Sequence, residues 1–304
     1  MAPIEPPARE IEQLVERLIE YRVGAYERFD DALDGEMDGF RLNIVLFGMA
    51  GSGKSALINT IFECLETGTR PAVTQTTGRE GTKILEACDL PNFVTIYDTR
   101  GFFDLGRIEE GELFRIIYGI ERPGDDLTRD YTSASKAVEG GVGAYRLKKK
   151  PIADQMHVIL WVIKANDVRF ETGKYREIIK FVQHQMREQI ITIITVITFD
   201  DEVRSMPNPG KQRKKLKEAA RDVTGSEPRD VFMIANSIPD KEFDPAYKKE
   251  VLKMLERALK CGELSVKMRQ AQRESLKRSI SEPRGRAEKS PVENTEPPDY
   301  KSLP

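Results

Sequence analysis

Histidine and cysteine are scarce in this chain of 304 residues, at two and three copies. Cys64, Cys88 and Cys261 stand far apart, no Cys-x-x-Cys pair occurs, and His157 and His184 do not cluster with them. This argues against a structural zinc site and against a disulfide framework, and fits ordinary thiols in a reducing compartment. A surplus of either charge is also missing: 48 Lys and Arg face 50 Asp and Glu, a net charge of -2. No nucleic-acid partner is expected from that balance. Long apolar runs are absent too. VILWVI (158–163) and IITIITVITF (190–199) are too short to cross a bilayer, so no transmembrane segment is expected. MAPIEPPARE lacks the basic start and apolar centre of a signal peptide, Ala2 stands where myristoylation needs glycine, and KSLP is not a prenylation box. The expected compartment is the cytoplasm.

What is present is an ordered alternation. Residues 8–33 space Ile11, Leu14, Val15, Leu18, Ile19, Tyr26, Phe29 and Leu33 as an amphipathic helix, which DGEMDG (34–39) breaks. This segment, 1–38, either packs on the rest of the chain or pairs with another copy. From Leu42 onward, strand-like runs at 41–48, 81–88, 92–99, 156–165, 189–199 and 230–236 alternate with helical runs at 54–66, 107–121, 172–188, 211–223 and 245–260. The central strands are continuously apolar, as in a parallel sheet covered on both faces. The expected fold is therefore three-layer α/β with a mostly parallel sheet over residues 39–262. Residues 263–304 are expected to be helical and then, where Pro, Ser, Glu and Lys dominate from about 280, a disordered polar tail.

GMAGSGKS, Gly48 to Ser55, fits G-x-x-x-x-G-K-[ST] between an apolar strand and a helical run. Gly48, Gly51 and Gly53, with Met49, Ala50 and Ser52 between them, let the backbone coil around phosphate oxygens with its N–H groups inward. The helix that opens at Lys54, Ser55 and Ala56 adds the positive end of its dipole. Lys54 offers a point charge to β- and γ-phosphates, and Ser55 offers a hydroxyl to Mg2+. These are the marks of a P-loop.

The run NFVTIYDTRG (92–101) places Asp98 at a strand tip and Gly101 three residues later. Asp98 is the expected second Mg2+ contact, and the Gly101 N–H the expected sensor of the γ-phosphate. No Glu follows Asp98, and Phe102 stands where a Gln would orient water, so intrinsic hydrolysis is expected to be slow or to need a group from elsewhere. Arg100 is a candidate for transition-state charge stabilisation, with a salt bridge as its alternative. PAVTQTTGREGT (71–82) reads as a switch loop. Thr77 is the favoured threonine to complete the Mg2+ shell in catalysis, ahead of Thr76 and Thr74.

VITFDDE (196–202) ends a buried strand on a hydroxyl and then carboxylates. A guanine edge offers N1–H and an amino group side by side, which one carboxylate accepts together. Thr198-x-x-Asp201 has the spacing of [NT]-K-x-D, with Phe199 in place of lysine and able to cover the base face. Asp200 is the alternative if the register slips by one. The next strand ends on Ala235, Asn236 and Ser237, where a further loop would touch the base through Asn236.

The order GMAGSGKS, TTG, DTRG, TFDD and FMIANSIPDKEFDP resembles the GTP-binding domain of the interferon-induced protein forty-four family, over about residues 40 to 260. The resemblance implies a cytosolic, GTPase-like protein linked to innate defence or cell-growth control. The wider septation- and translocon-type GTPase superfamily carries the same motifs.

The expected function is thus GTP and GDP binding with Mg2+, with slow hydrolysis as a switch. The alternative is a non-hydrolysing scaffold. An ATP-dependent nucleotide kinase would need an arginine-rich lid, which the sequence does not show clearly. A homodimer or an effector protein would bind through the N-terminal helix or the switch loops. Residues 102–155 read as an insertion, a solvated loop or a partner surface. The basic run 211–221 reads as a solvated helix face, with peripheral membrane contact through acidic lipid as its alternative.

Overall fold

The apolar runs pair edge to edge in one sheet. The computed structural model describes residues 6–28, 39–74, 84–102, 107–125, 150–171, 175, 179, 183 and 190–281. Its strands are β1 (Leu42–Gly48), β2 (Glu86–Leu90), β3 (Val94–Asp98), β4 (Val158–Lys164), β5 (Thr192–Thr198) and β6 (Val231–Met233). Their order is β2-β3-β1-β4-β5-β6. β2 and β3 form an antiparallel hairpin, because the turn at 91–93 is too short for a crossover. The remaining pairings are parallel. The helices are α1 (Pro6–Ile19), α2 (Lys54–Cys64), α3 (Arg107–Ile117), α4 (Val168–Glu171), α5 (Asp200–Arg204), α6 (Pro209–Thr224) and α7 (Pro245–Ser281).

Alternation along the strands explains why uninterrupted apolar runs were required. Leu42, Ile44 and Leu46 of β1 pack with side chains of α1, α2 and α7 on one face. Val45 and Phe47 pack on the other face with α3, Tyr175, Ile179 and α6. β4 divides the same way, Leu160 and Val162 against Ile159 and Trp161. Neither face of the central strands meets water, so both sets of side chains must be apolar. The result is a three-layer α/β fold with a mostly parallel sheet.

Several elements differ from their expected bounds. β2 lies at 86–90 rather than 81–88, β6 is shorter than 230–236, and α7 continues past 260 to Ser281. Of the expected helix 172–188, Tyr175, Ile179 and Gln183 are described, all helical. Residues 1–270 form one unit and 271–304 another. Residues 282–304, the expected tail, lie outside the described residues.

The largest difference is at the start. The helix expected over 8–33 stops at Ile19. Beyond it, the fully buried carboxylate of Glu263 on α7 accepts from the Tyr21 hydroxyl at 2.8 Å and from the backbone N–H groups of Gly24, Tyr26 and Glu27 at 2.9, 2.8 and 2.6 Å. Amides taken by a carboxylate no longer need helical carbonyls. Asn92 completes the stop by donating to the Leu18 carbonyl. Leu14, Val15, Leu18 and Tyr21 then join the core, so α1 packs on its own chain.

His157 closes the far end of the sheet. It is fully buried, its Nδ1 accepts from the Asn43 N–H at 2.8 Å, and its Nε2 lies 2.9 Å from the Ile152 carbonyl, to which it donates. Burial, helped by the charge of Arg269, lowers its pKa to about 3, so the ring stays neutral.

Glu263→Gln leaves one acceptor oxygen and brings an NH2 against backbone donors. It is expected to lower unfolding free energy by about 2–4 kcal/mol and to speed proteolysis within 20–28. Urea titration and limited digestion measure both, and an unchanged midpoint would contradict the anchoring role.

Candidate functional site

β1 delivers the chain at Gly48 into a loop that α2 takes up at Lys54. A side chain at Gly48 would put its Cβ 2.2 Å from the Val162 carbonyl oxygen of β4, so the loop can leave the sheet here only as glycine. Gly53, at φ 89°, caps α2 in the left-handed region, and a Cβ there would lie 2.8 Å from Asn236 Nδ2. Both glycines are fixed by what lies across the sheet.

The loop is gripped from three strand ends. Thr198, at the end of β5, donates from Oγ1 to the Ser52 carbonyl at 2.7 Å. Asn236, beyond β6, donates from Nδ2 to the Gly53 carbonyl at 3.1 Å. Phe102, beyond β3, donates its N–H to the Gly48 carbonyl at 3.1 Å, and its carbonyl accepts from Ala50 N–H at 2.8 Å. Met49 and Phe102 are thereby bridged in parallel. The structure brings together Gly48, Met49, Ala50, Gly51, Ser52, Gly53, Lys54, Ser55, Asp98, Gly101, Thr198 and Asn236, with Ala56 in the first turn of α2.

Lys54 is buried, and its Nζ donates to the carbonyls of Gly48 and Met49 at 3.2 and 3.3 Å. Burial lowers its pKa to about 8, opposed by the charge of Asp98. Ser55 donates from Oγ to Asp98 Oδ2 at 2.5 Å. These are hard oxygens side by side, a donor set that suits Mg2+. Among the described residues no three His, Cys, Asp or Glu could hold a metal together, so further oxygens would come from a ligand and water. Ser52 Oγ and Asn236 Oδ1 are buried and have no hydrogen-bond partner among the described residues. A ligand with polar atoms here would offset that cost.

Two candidate side chains are already engaged. For Arg100 the salt-bridge alternative is the one found: its Nε and Nη2 donate to the Glu112 carboxylate of α3 in a buried forked pair. Burial raises the Glu112 pKa, and Arg100 opposes the rise. Sequence reasoning missed Glu112, and no spacing rule would have paired it with Arg100. Asp200, the alternative base reader, is fully buried, with Oδ2 taken by Arg204 at 3.2 Å and Oδ1 by Arg213 at 2.8 Å. Asp201, next in the chain, is exposed. Arg213 belongs to the basic run 211–221, so part of that face serves the fold.

Phe102 is buried, with its ring 5.8 Å from Phe47 and 6.2 Å from Trp161. Thr74 is exposed at the end of a segment that Asn59 ties down through both the N–H and the carbonyl of Ala72. Thr76 and Thr77 lie outside the described residues.

No family model matches the chain and no curated protein matches its sequence, so membership of the interferon-induced family is not confirmed. Among solved structures, the chain is similar to a structure of chloroplast translocon components for which dimerization is important for GTPase activity. The two are 12% identical, over 80% of this chain and 95% of that one, at a TM-score of 0.42. It is also similar to the septin GTPase domain from Chlamydomonas reinhardtii, at 14% identity over 78% of this chain and 98% of that one, with a TM-score of 0.42. These likenesses concern chain outline and carry no functional argument. Among the described residues, no helix is long and apolar enough to cross a membrane.

Because the folded pKa of Lys54 lies below its ordinary value, its contribution to stability is complete above about 10.5 and is lost as pH falls through about 8. Without ligand, unfolding free energy is expected to gain up to about 1.4 kcal/mol per pH unit from this group between those limits. Lys54→Met should flatten the rise in urea titrations. A Cβ on Gly101 would lie 2.3 Å from Ala50 Cα. Gly101→Ala is therefore expected to cost about 1–3 kcal/mol and to speed amide exchange at Ala50 and Phe102, read by thermal melting and hydrogen exchange.

Proposed function

We propose that this chain binds GTP with Mg2+ at the 48–55 loop and hydrolyses it slowly, changing the order of residues 71–82 and 101–106 between states. The observation that carries the reading is the joining of Thr198 to Ser52, 146 residues apart. It ties the strand end that leads into Asp201 to the 48–55 loop, which supports a reading in which one nucleotide spans both. Asn236, bonded to Gly53, supports a contact from a further loop on the same side.

In this reading the backbone N–H groups of Gly51, Gly53, Lys54, Ser55 and Ala56 take phosphate oxygens, while that of Ser52 donates to the Met49 carbonyl at 3.1 Å and shapes the loop. The Lys54 ammonium exchanges its carbonyl partners for phosphate, which returns its pKa upward. Ser55 and Asp98 are the residues that would hold Mg2+, which would supply charge neutralisation to the β- and γ-phosphates. Thr77 is assigned the remaining protein contact to the metal. Asp201 accepts both donors of the guanine edge, and the burial of Asp200 between two arginines supports this register over its neighbour.

Slow turnover follows from what stands near Gly101. The buried ring of Phe102 cannot orient water, and Arg100 is committed to Glu112. The same two observations favour a second reading, GTP binding without hydrolysis as a scaffold for protein partners. The fold also takes up α1 on its own chain, which leaves the switch loops as the surface proposed for an effector or a second copy.

Calorimetry with Mg2+ is expected to show binding of GTP and much weaker binding of ATP; equal affinities would refute guanine selection. Asp201→Asn should cost GTP about ten- to a hundredfold, or about 1.5–3 kcal/mol, and raise the relative affinity for xanthosine triphosphate. Single-turnover assays at saturating GTP decide between the two readings, since a scaffold leaves the nucleotide intact.

A further inference from the structure

The lysine of an [NT]-K-x-D pattern is replaced by Phe199, yet a lysine is present at that place. β4 ends on Lys164, in register with Thr198 of β5. Its Nζ lies over the Phe199 ring, 4.6 Å from the centroid. Phe199 needs such support. Its φ of 62° is left-handed, a conformation that costs a bulky residue about 1–3 kcal/mol. On the loop side, Phe199 Cε2 and the Thr198 methyl each lie 3.7 Å from where a Gly53 Cβ would stand. The ring thus has the ammonium over its face and stands on the side of Gly53 where a side chain would project.

A second contact comes from the same turn. Asn166, two residues past Lys164, donates to Glu202 Oε2 at 2.6 Å. The end of β4 and the turn after it therefore brace the chain on either side of Asp201, at Phe199 by the Lys164 cation and at Glu202 by the Asn166 amide. Asp200 is already fixed by Arg204 and Arg213. Of the three successive carboxylates Asp201 and Glu202 are exposed, and Asp201 is the one flanked on both sides by carboxylates that are themselves bonded.

We propose that Lys164 is a positioning residue for base specificity: it brings from β4 the cation that Phe199 displaced from the motif, and holds the ring and the adjoining Asp201 in place to read guanine. The inference rests on the guanine reading above and extends it to a residue outside every motif. An ammonium over an aromatic face is attracted by the ring quadrupole. A ring fixed this way presents an aromatic surface to a purine without having to be ordered on binding.

The test compares binding of GTP, ITP and ATP with Mg2+ by the wild-type chain, Lys164→Met, Lys164→Arg and Phe199→Lys, the last with and without Lys164→Met. ITP lacks the amino group that a well-placed carboxylate accepts, so the GTP-to-ITP ratio reports the position of Asp201. Lys164→Met is expected to lose about 3–30-fold in GTP affinity, to narrow that ratio and to melt near the wild-type temperature. Lys164→Arg should retain both values, and in the Phe199→Lys background Lys164→Met should be silent. Wild-type affinity and ratio in Lys164→Met would overturn the proposal while leaving the guanine reading intact. So would an equal loss for GTP and ITP together with a lowered melting temperature. A wild-type chain that does not prefer GTP to ATP would overturn both.

Discussion

A loop in which glycine alternates with mostly short side chains has little with which to hold its own shape, so its conformation is imposed by hydrogen bonds from elsewhere. Here the bonds come from Thr198, Asn236 and Phe102, which reach the carbonyls of Ser52, Gly53 and Gly48 from the ends of three strands. These groups meet only because β3, β5 and β6 run parallel to β1 in one sheet, β5 and β6 through β4, with their C-terminal ends at one edge. In open parallel sheets ligands gather at that edge. A slip of one residue in β5 would exchange Thr198 for Ile197 or Phe199 and remove the grip.

The charges around this edge are arranged at some energetic cost. A buried ion pair gains little over apolar packing, but losing one partner is expensive. Arg100 with Glu112 and Asp200 with Arg204 and Arg213 are complete sets in this sense, and they tie the segment after Asp98 to α3 and the turn before Asp201 to α5 and α6. Lys54 is different. Its contacts are carbonyl oxygens, and burial pulls its pKa down. Among these groups it is the one whose charge an incoming anion would relieve.

The remainder of the chain supports that edge from behind. α7 lies on the face opposite α3 and carries Glu263, whose carboxylate gathers the hydroxyl and amides that follow α1. The N-terminal segment thereby covers apolar strand positions that would otherwise meet water, and at the far end of β1 and β4 a neutral His157 satisfies backbone groups.

Contiguous features were legible in the sequence. The apolar runs of β1, β4 and β5, the glycine spacing at 48–53, Lys54 and Ser55, and the strand-end Asp98 and Thr198 depend on covalent neighbours and on local periodicity. That is why the α/β class and the loop could be read directly. Boundaries were less legible. The helix of 8–33 ended early because Glu263, more than two hundred residues away, captured its amides, and no local rule contains that contact. Likewise, pairing committed Arg100 to Glu112, burial placed Asp200 between two arginines and left Asp201 exposed, and register set Lys164 over Phe199. Sequence fixes what each short stretch prefers. Only the folded chain decides which distant groups share a low-dielectric space, and there the unpaired charge and the unmet hydrogen bond cost enough to choose among those preferences.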